Sequence, residues 1–285
     1  MRVARISNAG MKLDSTIESA THSREASFHD AWAASTDLSD VRVIEAFEGP
    51  TALENKFILA KIGPLKGKRL LDIGAGLGES SVYFALQGAE VTVVDISPQM
   101  VASAVGLGQK FGVQLEGIVS SAENFNLPPE TYDIIYTANT IHHVQDRASF
   151  FGQMKTALKP GGMFFSYDPL AYNPVINVYR RMATEVRTPD EAPLTTADVQ
   201  LARRFFDGVG HREFWISTLA IFLKYYLVDR INPNQDRYWK RILKESDRQL
   251  GWWKPLRSLD GLLTRLPLVR WLAWNVVMWG QKPLR

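Results

Sequence analysis

Five short apolar segments, which alternate with helix-like segments, constrain the fold of this chain more than any other feature. The first, 69–73, reads RLLDI and stops at a glycine-rich loop, which is typical of a strand buried on both faces of a sheet. The other four predicted strands are 90–95, 115–120, 132–138 and 162–167. Strands that alternate with helices form a parallel sheet covered on both faces. The pattern therefore predicts a doubly wound α/β fold.

The predicted helices have recognisable ends. Ser97 supplies an N-cap, and Pro98 supplies a proline at the first helical position. A later helix is predicted over 146–159, and the PGG at 160–162 is expected to end it. The remaining predicted elements are a helix at 196–206 and strands at 213–218 and 275–281. Ligands of such sheets bind beyond the carboxyl ends of the strands.

Composition and charge narrow the class of protein. The 285 residues are 46% hydrophobic and 22% charged, which suits one large globular domain with an added insertion. A formal net charge of +3 gives no whole-chain argument for nucleic-acid binding. The absence of cysteine excludes disulfides, thiolate catalysis and cysteine-ligated metals. We find no signal-like segment and no run of the ~18–20 apolar residues that span a membrane, so we expect a cytoplasmic protein.

The glycine-rich loop, residues 71–79, reads LDIGAGLGE. Glycines let the backbone turn sharply and approach a ligand closely. A dinucleotide site prefers G-x-G-x-x-G, but the sixth position here is Glu79, whose carboxylate would repel a pyrophosphate. Asp95 ends the second strand about 20 residues further on, where an acid accepts hydrogen bonds from ribose hydroxyls. The alternatives are a plain tight turn for the loop and a capping or solvated role for Asp95.

These segments together resemble the class I S-adenosylmethionine-dependent methyltransferases, in the small-molecule branch that includes ubiquinone-pathway-like enzymes. The resemblance covers about 68–168. The segments that carry it are LDIGAGLG at 71–78, the strand that ends in Asp95, SAE at 121–123 before LP at 127–128, IHHV at 141–144 and LKPGG at 158–162. It implies a mostly parallel seven-stranded sheet, the Rossmann-like methyltransferase fold, with strand 275–281 antiparallel.

The resemblance also implies the cofactor, S-adenosyl-L-methionine, and its site. The implied cofactor-binding residues are Asp72, Gly74, Ala75, Gly76, Gly78, Asp95, Ile96, Ser121, Ala122, Glu123 and Asn139. Asp72 and the glycines would hold the methionine end, Asp95 the ribose, and Ile96 would lie against the adenine. Many relatives have an acid at the position of Ser121. A serine hydrogen-bonds there without charge assistance.

Candidate catalytic and substrate residues follow the fourth and fifth strands. His142 and His143 are candidate general bases, with His142 the first choice, because histidine titrates near neutral pH. The alternative is that one packs beneath the loop and the other bonds the backbone. Tyr172, Asn173 and Arg180 are candidate substrate residues, with an ordinary polar helix surface as their alternative. We assign no metal ligands.

The chain divides into four parts. We predict a flexible tail at 1–26, N-terminal helices at 27–67, a methyltransferase core at 68–220 and 272–285, and a helical cap insertion at 221–271. Trp32 belongs to a segment, 30–35, that we expect to close over the cofactor as a helix.

The cap insertion has an unusual composition. Seven of the eight tryptophans lie from Trp215 onward, and residues 237–285 contain 11 Lys and Arg against 3 Asp and Glu. The leucines at 256, 259, 263 and 266 form one helical stripe. One interpretation is a packed cap with a solvated basic face. The other is a peripheral membrane contact, since tryptophan and basic residues suit anionic interfaces.

The sequence as a whole predicts methyl transfer to a small, hydrophobic acceptor, such as a natural product, a quinone or a lipid-like molecule. The alternatives are a non-catalytic or repurposed cofactor-binding protein and a nicotinamide oxidoreductase, which Glu79 argues against. The atom that is methylated and the oligomeric state stay open, and we expect no nucleic-acid partner.

Overall fold

A seven-stranded sheet forms the centre of the protein. The computed structural model describes residues 20–284, apart from the side chains of residues 20 and 247–250. The strands are β1 (Arg69–Ile73), β2 (Glu90–Asp95), β3 (Leu115–Val119), β4 (Tyr132–Ala138), β5 (Leu158–Pro169), β6 (Asp207–Phe214) and β7 (Asn275–Gln281). Their order is β3-β2-β1-β4-β5-β7-β6, and β7 is antiparallel to both of its neighbours. The predicted mostly parallel sheet with an antiparallel last strand is confirmed.

Helices cover both faces of this sheet. They are α1 (Ala20–Ala34), α2 (Glu45–Glu48), α3 (Leu53–Ile62), α4 (Glu79–Leu86), α5 (Pro98–Lys110), α6 (Arg147–Ala157), α7 (Pro174–Met182), α8 (Thr196–Ala202), α9 (Ala220–Leu223), α10 (Tyr238–Lys244) and α11 (Ser246–Leu263). Alternate residues of β1 enter different cores: Leu71 packs with Phe150 and Phe151 of α6, whereas Leu70 packs with Val82 and Phe84 of α4. The doubly wound architecture follows from this two-sided burial.

The boundary between α6 and β5 differs from the prediction. The helix ends at Ala157 and β5 begins at Leu158, so the PGG at 160–162 lies inside the strand and does not end the helix. The pairing with β4 shifts between Tyr132 and Ile134, and Gly161 has a φ of +76°. The extra residues form a bulge, where a proline needs no ladder hydrogen bond.

The sixth strand also differs from the prediction, because it spans 207–214 instead of 213–218, and α8 ends at Ala202. Residues 217–219 form a 3₁₀ turn instead. Asp260 of α11 holds this turn by accepting hydrogen bonds from the Ser217 amide at 2.6 Å and the Thr218 hydroxyl at 2.5 Å. A partner more than forty residues away, which no local pattern reveals, therefore ends the strand early.

Helix α1 corrects the predicted tail. Residues 20–26 are helical, and residues 1–19 of the predicted tail lie outside the described residues. Asp30 of α1 accepts hydrogen bonds from the Ser97 hydroxyl at 2.5 Å and the Gln99 amide at 3.1 Å, at the start of α5. Tertiary contacts thus hold α1, whose first part, 20–26, was predicted to belong to a flexible tail.

The insertion between β6 and β7 is helical, as predicted. It contains α9, a π-helical turn at 224–228, α10, α11 and a 3₁₀ turn at 269–272. The core that it shares with α7 contains Ile176, Tyr179, Trp215, Leu219, Phe222, Tyr225, Tyr238, Ile242 and Trp253. None of the helices within residues 20–284 is both long and apolar enough to cross a membrane.

Candidate cofactor and acceptor site

One large cavity, of about 710 Å³, lies at the carboxyl ends of β1, β2 and β4. We call its sheet side, residues 72–79, 94–96, 120–123 and 138–140, the strand-end wall. The opposite side, formed by residues 22–36 and 235–245, is the helical wall. Ten of the predicted cofactor residues line the strand-end wall: Asp72, Gly74, Ala75, Gly76, Asp95, Ile96, Ser121, Ala122, Glu123 and Asn139.

The glycine loop needs its glycines for two different reasons. At Gly74, with a φ of +70°, a Cβ atom would stand 2.0 Å from the Thr140 hydroxyl. At Gly76, with a φ of +54°, a Cβ atom would meet nothing within 4 Å. Left-handed backbone is costly for residues with a side chain. Gly74 therefore allows close packing of the loop, and Gly76 leaves bare backbone next to the cavity.

Gly78 departs from the prediction, because it does not line the cavity that the described residues form. Its φ is +91°, and a Cβ atom would stand 2.7 Å from the Cα atom of Ala104. Gly78 precedes α4 and lets that helix pack closely against α5. Its role is structural.

Two buried acids complete the loop. Asp95 accepts hydrogen bonds from the Gly76 and Ser97 amides, each at 2.9 Å, and burial raises its pKa. Asp72 accepts a hydrogen bond from the Ser81 hydroxyl at 2.6 Å. Burial, together with the nearby charges of Asp95 and Glu79, raises the pKa of Asp72 to about 7. Glu79 also lines the cavity, a position that the sequence argument used only against nicotinamide binding.

The far end of the strand-end wall is tied to α1. One Glu123 oxygen accepts a hydrogen bond from the Asp146 amide at 3.2 Å, and the other lies 3.2 Å from the His22 ring. Asn139 follows β4 directly, has a φ of +52° and donates its amide to the Tyr167 carbonyl at 2.8 Å. Backbone strain of this kind clusters at ligand sites.

The two histidines have different surroundings. His142 is 5% exposed, and its Nδ1 lies 2.8 Å from Asp168. Burial and the nearby charge of His143 hold the pKa of His142 well below its usual range. His143 lines the cavity, whereas His142 does not in the described part of the chain. His143 therefore replaces His142 as the first candidate for a general base.

The three predicted substrate residues do not line the cavity within residues 20–284. Asn173 caps α7 by accepting the Ile176 amide at 3.1 Å. Tyr172 bonds the Thr196 amide, and Arg180 donates to the Leu170 carbonyl at 3.2 Å. All three thus make structural hydrogen bonds around α7, and Asn173, which is 4% exposed, does not belong to the ordinary polar helix surface that was their alternative.

The helical wall contains cavity residues that the sequence analysis missed. From α1 they are His22, Glu25 and His29, and from the insertion they are Arg237, Trp239, Lys240, Arg241 and Lys244. The insertion residues recur at helical spacing. This spacing could be read from the sequence, but the sequence did not show that this helix face covers the cavity. Trp32, expected to close over the cofactor, does line the cavity.

Two cations of the helical wall flank that tryptophan. The Arg237 guanidinium and the Lys240 ammonium lie 4.2 and 4.4 Å from the centre of the Trp32 ring. Burial lowers the pKa of both cations. Among the described residues, neither has a carboxylate oxygen within 4.0 Å, whereas Arg241 pairs with Asp236 at 2.6 Å. This wall therefore presents partly desolvated positive charge to the cavity.

The tryptophans and leucines of α11 are not part of the cavity in the described chain. Trp253 is fully buried and packs 5.4 Å from the Trp215 ring. In the predicted stripe, Leu259 is 42% and Leu266 50% exposed. Only the α10 part of the insertion thus covers the cavity, because the buried face of α11 packs against Trp215 and the turn at 217–219.

Comparison with known proteins agrees with this geometry. Residues 71–166 match the family described as "Methyltransferase domain". Residues 71–166 are a class I methyltransferase domain. The match covers β1 to most of β5, and it includes neither α1 nor the insertion.

Curated relatives share this methyltransferase domain. A ubiquinone biosynthesis O-methyltransferase of Xylella fastidiosa is 34% identical over 108 residues, which are 38% of this chain and 44% of the relative. Phosphoethanolamine N-methyltransferase 3 of Arabidopsis thaliana is 34% identical over 99 residues, 34% of this chain and 20% of the relative. The chain thus spans less than half the length of these relatives.

A solved structure extends the likeness to the fold. Phosphoethanolamine N-methyltransferase 2 of Haemonchus contortus, in complex with phosphomonomethylethanolamine and S-adenosylhomocysteine, has a TM-score of 0.56 and 20% identity. The similarity covers 90% of this chain and 60% of that protein. It concerns the methyltransferase fold.

Proposed function

We propose that this protein transfers a methyl group from S-adenosylmethionine to a small acceptor that carries an anionic group. One observation carries the proposal: a single cavity joins the glycine loop and Asp95 to Arg237 and Lys240 of the helical wall. Its volume of about 710 Å³ falls within the ~300–1,000 Å³ typical of small-molecule sites. A nucleoside cofactor and a small acceptor therefore have room together.

The strand-end wall fits the cofactor. Asp95 keeps free lone pairs on both oxygens, beyond its two amide bonds, with which to accept hydrogen bonds from ribose hydroxyls. Asp72 and Glu79 place carboxyl groups beside the bare backbone of Gly76, where they would face the cationic amino-acid part. S-adenosylmethionine supplies a methyl group that its sulfonium already activates. The protein then mainly has to align the acceptor and exclude water.

The helical wall indicates the class of acceptor. Trp32 and Trp239 offer aromatic surface, in keeping with the hydrophobic acceptor predicted from the sequence, while Arg237 and Lys240 add positive charge. An anion held by these cations would offset the cost of their burial. We therefore propose an acceptor with a flat or apolar body and a carboxylate or phosphate. Phosphoethanolamine, named in one group of relatives, belongs to this charge class.

His143 is the histidine that we assign to the acceptor. It lies at the carboxyl end of β4, in the wall of the cavity. His142 is hydrogen-bonded to Asp168 and so supports the 3₁₀ turn at 141–143 from the side away from the cavity. Substitution of His142 is then expected to act through the position of that turn.

Matched acceptor pairs test the proposal. Phosphoethanolamine is compared with ethanolamine, and 3,4-dihydroxybenzoate with catechol, while mass spectrometry follows the methylated products. We expect the anionic member of a pair to be preferred. The double substitution Arg237→Ala and Lys240→Ala should lower its kcat/KM by about 10–100-fold, since a hydrogen bond to a charged group is worth about 1.5–3 kcal/mol.

The control removes two exposed cations of the same insertion, by Lys254→Ala with Arg257→Ala. An equal loss in this control would overturn the assigned acceptor class. Calorimetry with S-adenosylhomocysteine tests the cofactor separately. Absence of binding by the folded protein would overturn the methyl-transfer function itself.

Between the two interpretations of the insertion that the sequence left open, its exposed side favours the membrane contact. Leu259, Leu262 and Leu266 of this side are 42–59% exposed. Lys254 and Arg257 are exposed on the same helix. Apolar and basic side chains together suit an anionic bilayer surface. We propose that this side of the insertion rests on a membrane.

A further inference from the structure

Three potential metal ligands, two from the helical wall and one from the turn after β4, lie close together in the lining of the cavity. Glu25 and His29 stand four residues apart on α1 and therefore on one helix face. His143 approaches them from the turn that follows β4. The His143 Nδ1 lies 3.2 Å, and the His29 Nε2 3.5 Å, from the same Glu25 oxygen. The three ligand atoms all lie within 4.8 Å of one another.

Glu25 is the unusual member of this group. It is 5% exposed, and in the described chain neither of its oxygens accepts a hydrogen bond of good geometry. The Nδ1 atom of His143 is likewise buried without a well-formed hydrogen bond. A buried polar group without a partner costs about 1–3 kcal/mol, and more when it is charged. An ion at the centre of the group would satisfy the Glu25 oxygen that both histidines approach and the His143 Nδ1 atom.

The spacing also fits an ion better than direct hydrogen bonds. Charge-assisted N–H···O bonds are about 2.7–2.9 Å long, shorter than the 3.2 and 3.5 Å separations here. Ligands bound at ~2.0–2.2 Å around a tetrahedral ion stand roughly 3.3–3.6 Å apart.

We propose that Glu25, His29 and His143 bind a Zn²⁺ ion that keeps an open coordination position toward the cavity. Two histidines and a glutamate are a ligand set of catalytic zinc sites, whose fourth position is open. The proposal departs from the sequence-based assignment of no metal ligands. Glu25 was then placed in a flexible tail, so its helical spacing to His29 went unused.

The open position faces the cavity in which the acceptor is proposed to lie. An acceptor oxygen bound there would become more acidic, as water does on zinc. This consequence rests on the proposed function, whereas metal binding by itself does not. His143 would then serve the acceptor as a ligand of the ion.

Metal titration tests the site. Protein freed of metal with a chelator is titrated with Zn²⁺ against a chromophoric competitor, and with Co²⁺ while the visible absorption is recorded. We expect one ion per chain and the intense absorption of low-coordinate Co²⁺. His29→Ala and Glu25→Gln should each weaken Zn²⁺ binding by at least the ~10–100-fold that loss of an outer-shell partner costs.

The matched control is His22→Ala, which removes a histidine from the same helix and the same cavity but outside the ligand group. It should leave Zn²⁺ affinity unchanged. Glu25→Gln keeps the shape of the side chain, and circular dichroism verifies folding of each variant. The site is overturned if the folded wild type binds no stoichiometric Zn²⁺, or if Glu25→Gln and His29→Ala bind it as the wild type does.

The outcome is separable from that of the proposed function. Binding of S-adenosylhomocysteine is measured on the same samples with and without Zn²⁺. Zinc binding without nucleoside binding would retain the metal site and overturn the methyl-transfer proposal. Binding of S-adenosylhomocysteine by a protein that binds no zinc would overturn the metal site and retain the methyl-transfer proposal.

Discussion

The two walls of the cavity are built by different means. The strand-end wall uses backbone geometry, with left-handed glycines at 74 and 76 and a buried acid, Asp95, fixed by amide hydrogen bonds. The helical wall uses long side chains, such as Arg237 and Lys240 around Trp32, on helices that pack from distant parts of the chain. A wall built from backbone geometry tolerates few substitutions, whereas the side chains of a helical surface can be substituted without loss of the fold. We infer that the first wall serves the cofactor and that the second wall sets the acceptor.

The sharpest test of this contrast separates the core of the insertion from its cavity face. Trp253→Ala should lower the free energy of unfolding by about 3–5 kcal/mol, because it empties a fully buried site. The acceptor KM of the protein that remains folded should not change. Denaturant unfolding and steady-state kinetics measure the two effects.

The comparison variant is Trp239→Ala, since Trp239 lines the cavity. It should raise the acceptor KM and cost less stability, because Trp239 is only partly buried. A rise in KM for Trp253→Ala with unchanged stability would instead place α11 at the acceptor site.

The next largest effect concerns the strand-end wall. Asp95→Ala should weaken S-adenosylhomocysteine binding by about 1.5–3 kcal/mol, the range for hydrogen bonds to a charged group. Calorimetry measures the loss. Asp133→Ala is the control, because Asp133 pairs with Lys159 at the opposite end of β4. Equal affinities for the Asp95 variant and the wild type would sink the ribose assignment.

A pH series sharpens the contrast further. The Asp72 pKa, about 7 in the free protein, should fall when the ammonium group of S-adenosylhomocysteine lies beside it. Binding then releases a proton, so affinity should rise with pH by up to about tenfold per unit below pH 7 and level off above it. Asp72→Asn should flatten this rise, as calorimetry at several pH values will record.

The same group affects stability with a defined sign. Its folded pKa lies above the unfolded value of 3.8, so the free energy of unfolding should fall as pH rises from about 4 through 7. Glu54→Gln is the control, because burial also raises the pKa of Glu54 to about 7. It should alter the stability profile without flattening the affinity profile. A flattened affinity profile in this control would contradict the role of Asp72.

The smallest effect on stability belongs to the exposed face of the insertion. Leu262→Glu with Leu266→Glu should change the free energy of unfolding by no more than about 0.5 kcal/mol per site. The pair should abolish flotation with phosphatidylglycerol vesicles, which salt should also weaken. Wild-type protein that fails to float with these vesicles would leave the leucines without a membrane role.

The sequence predicted the strand-end wall better than the helical wall. β1, β2, β4 and β7 have the predicted bounds, since apolar periodicity and β-branched residues act locally. Asp95, Gly74 and Gly76 reach the cavity because their spacing from a strand end fixes their place. The PGG at 160–162 misled the prediction, because a bulge accommodates the residues that usually end a helix.

Apart from Trp32, the helical wall could not be predicted from the sequence. Helix α1 has almost no amphipathic pattern, and Asp30 holds it through residues 97 and 99. Tyr172, Asn173 and Arg180 follow a strand end, as cofactor residues do, but the turn into α7 takes them into structural bonds.

The sequence by itself determined the sheet, the glycine loop and the position of Asp95, because local backbone preferences and burial period are written in neighbouring residues. Only the tertiary structure decided that His143 and not His142 faces the cavity, and that Glu25 and His29 join it there. It also decided which part of the insertion covers the site. These outcomes depend on packing between segments more than a hundred residues apart. Such long-range contacts produce no periodic pattern in the local sequence.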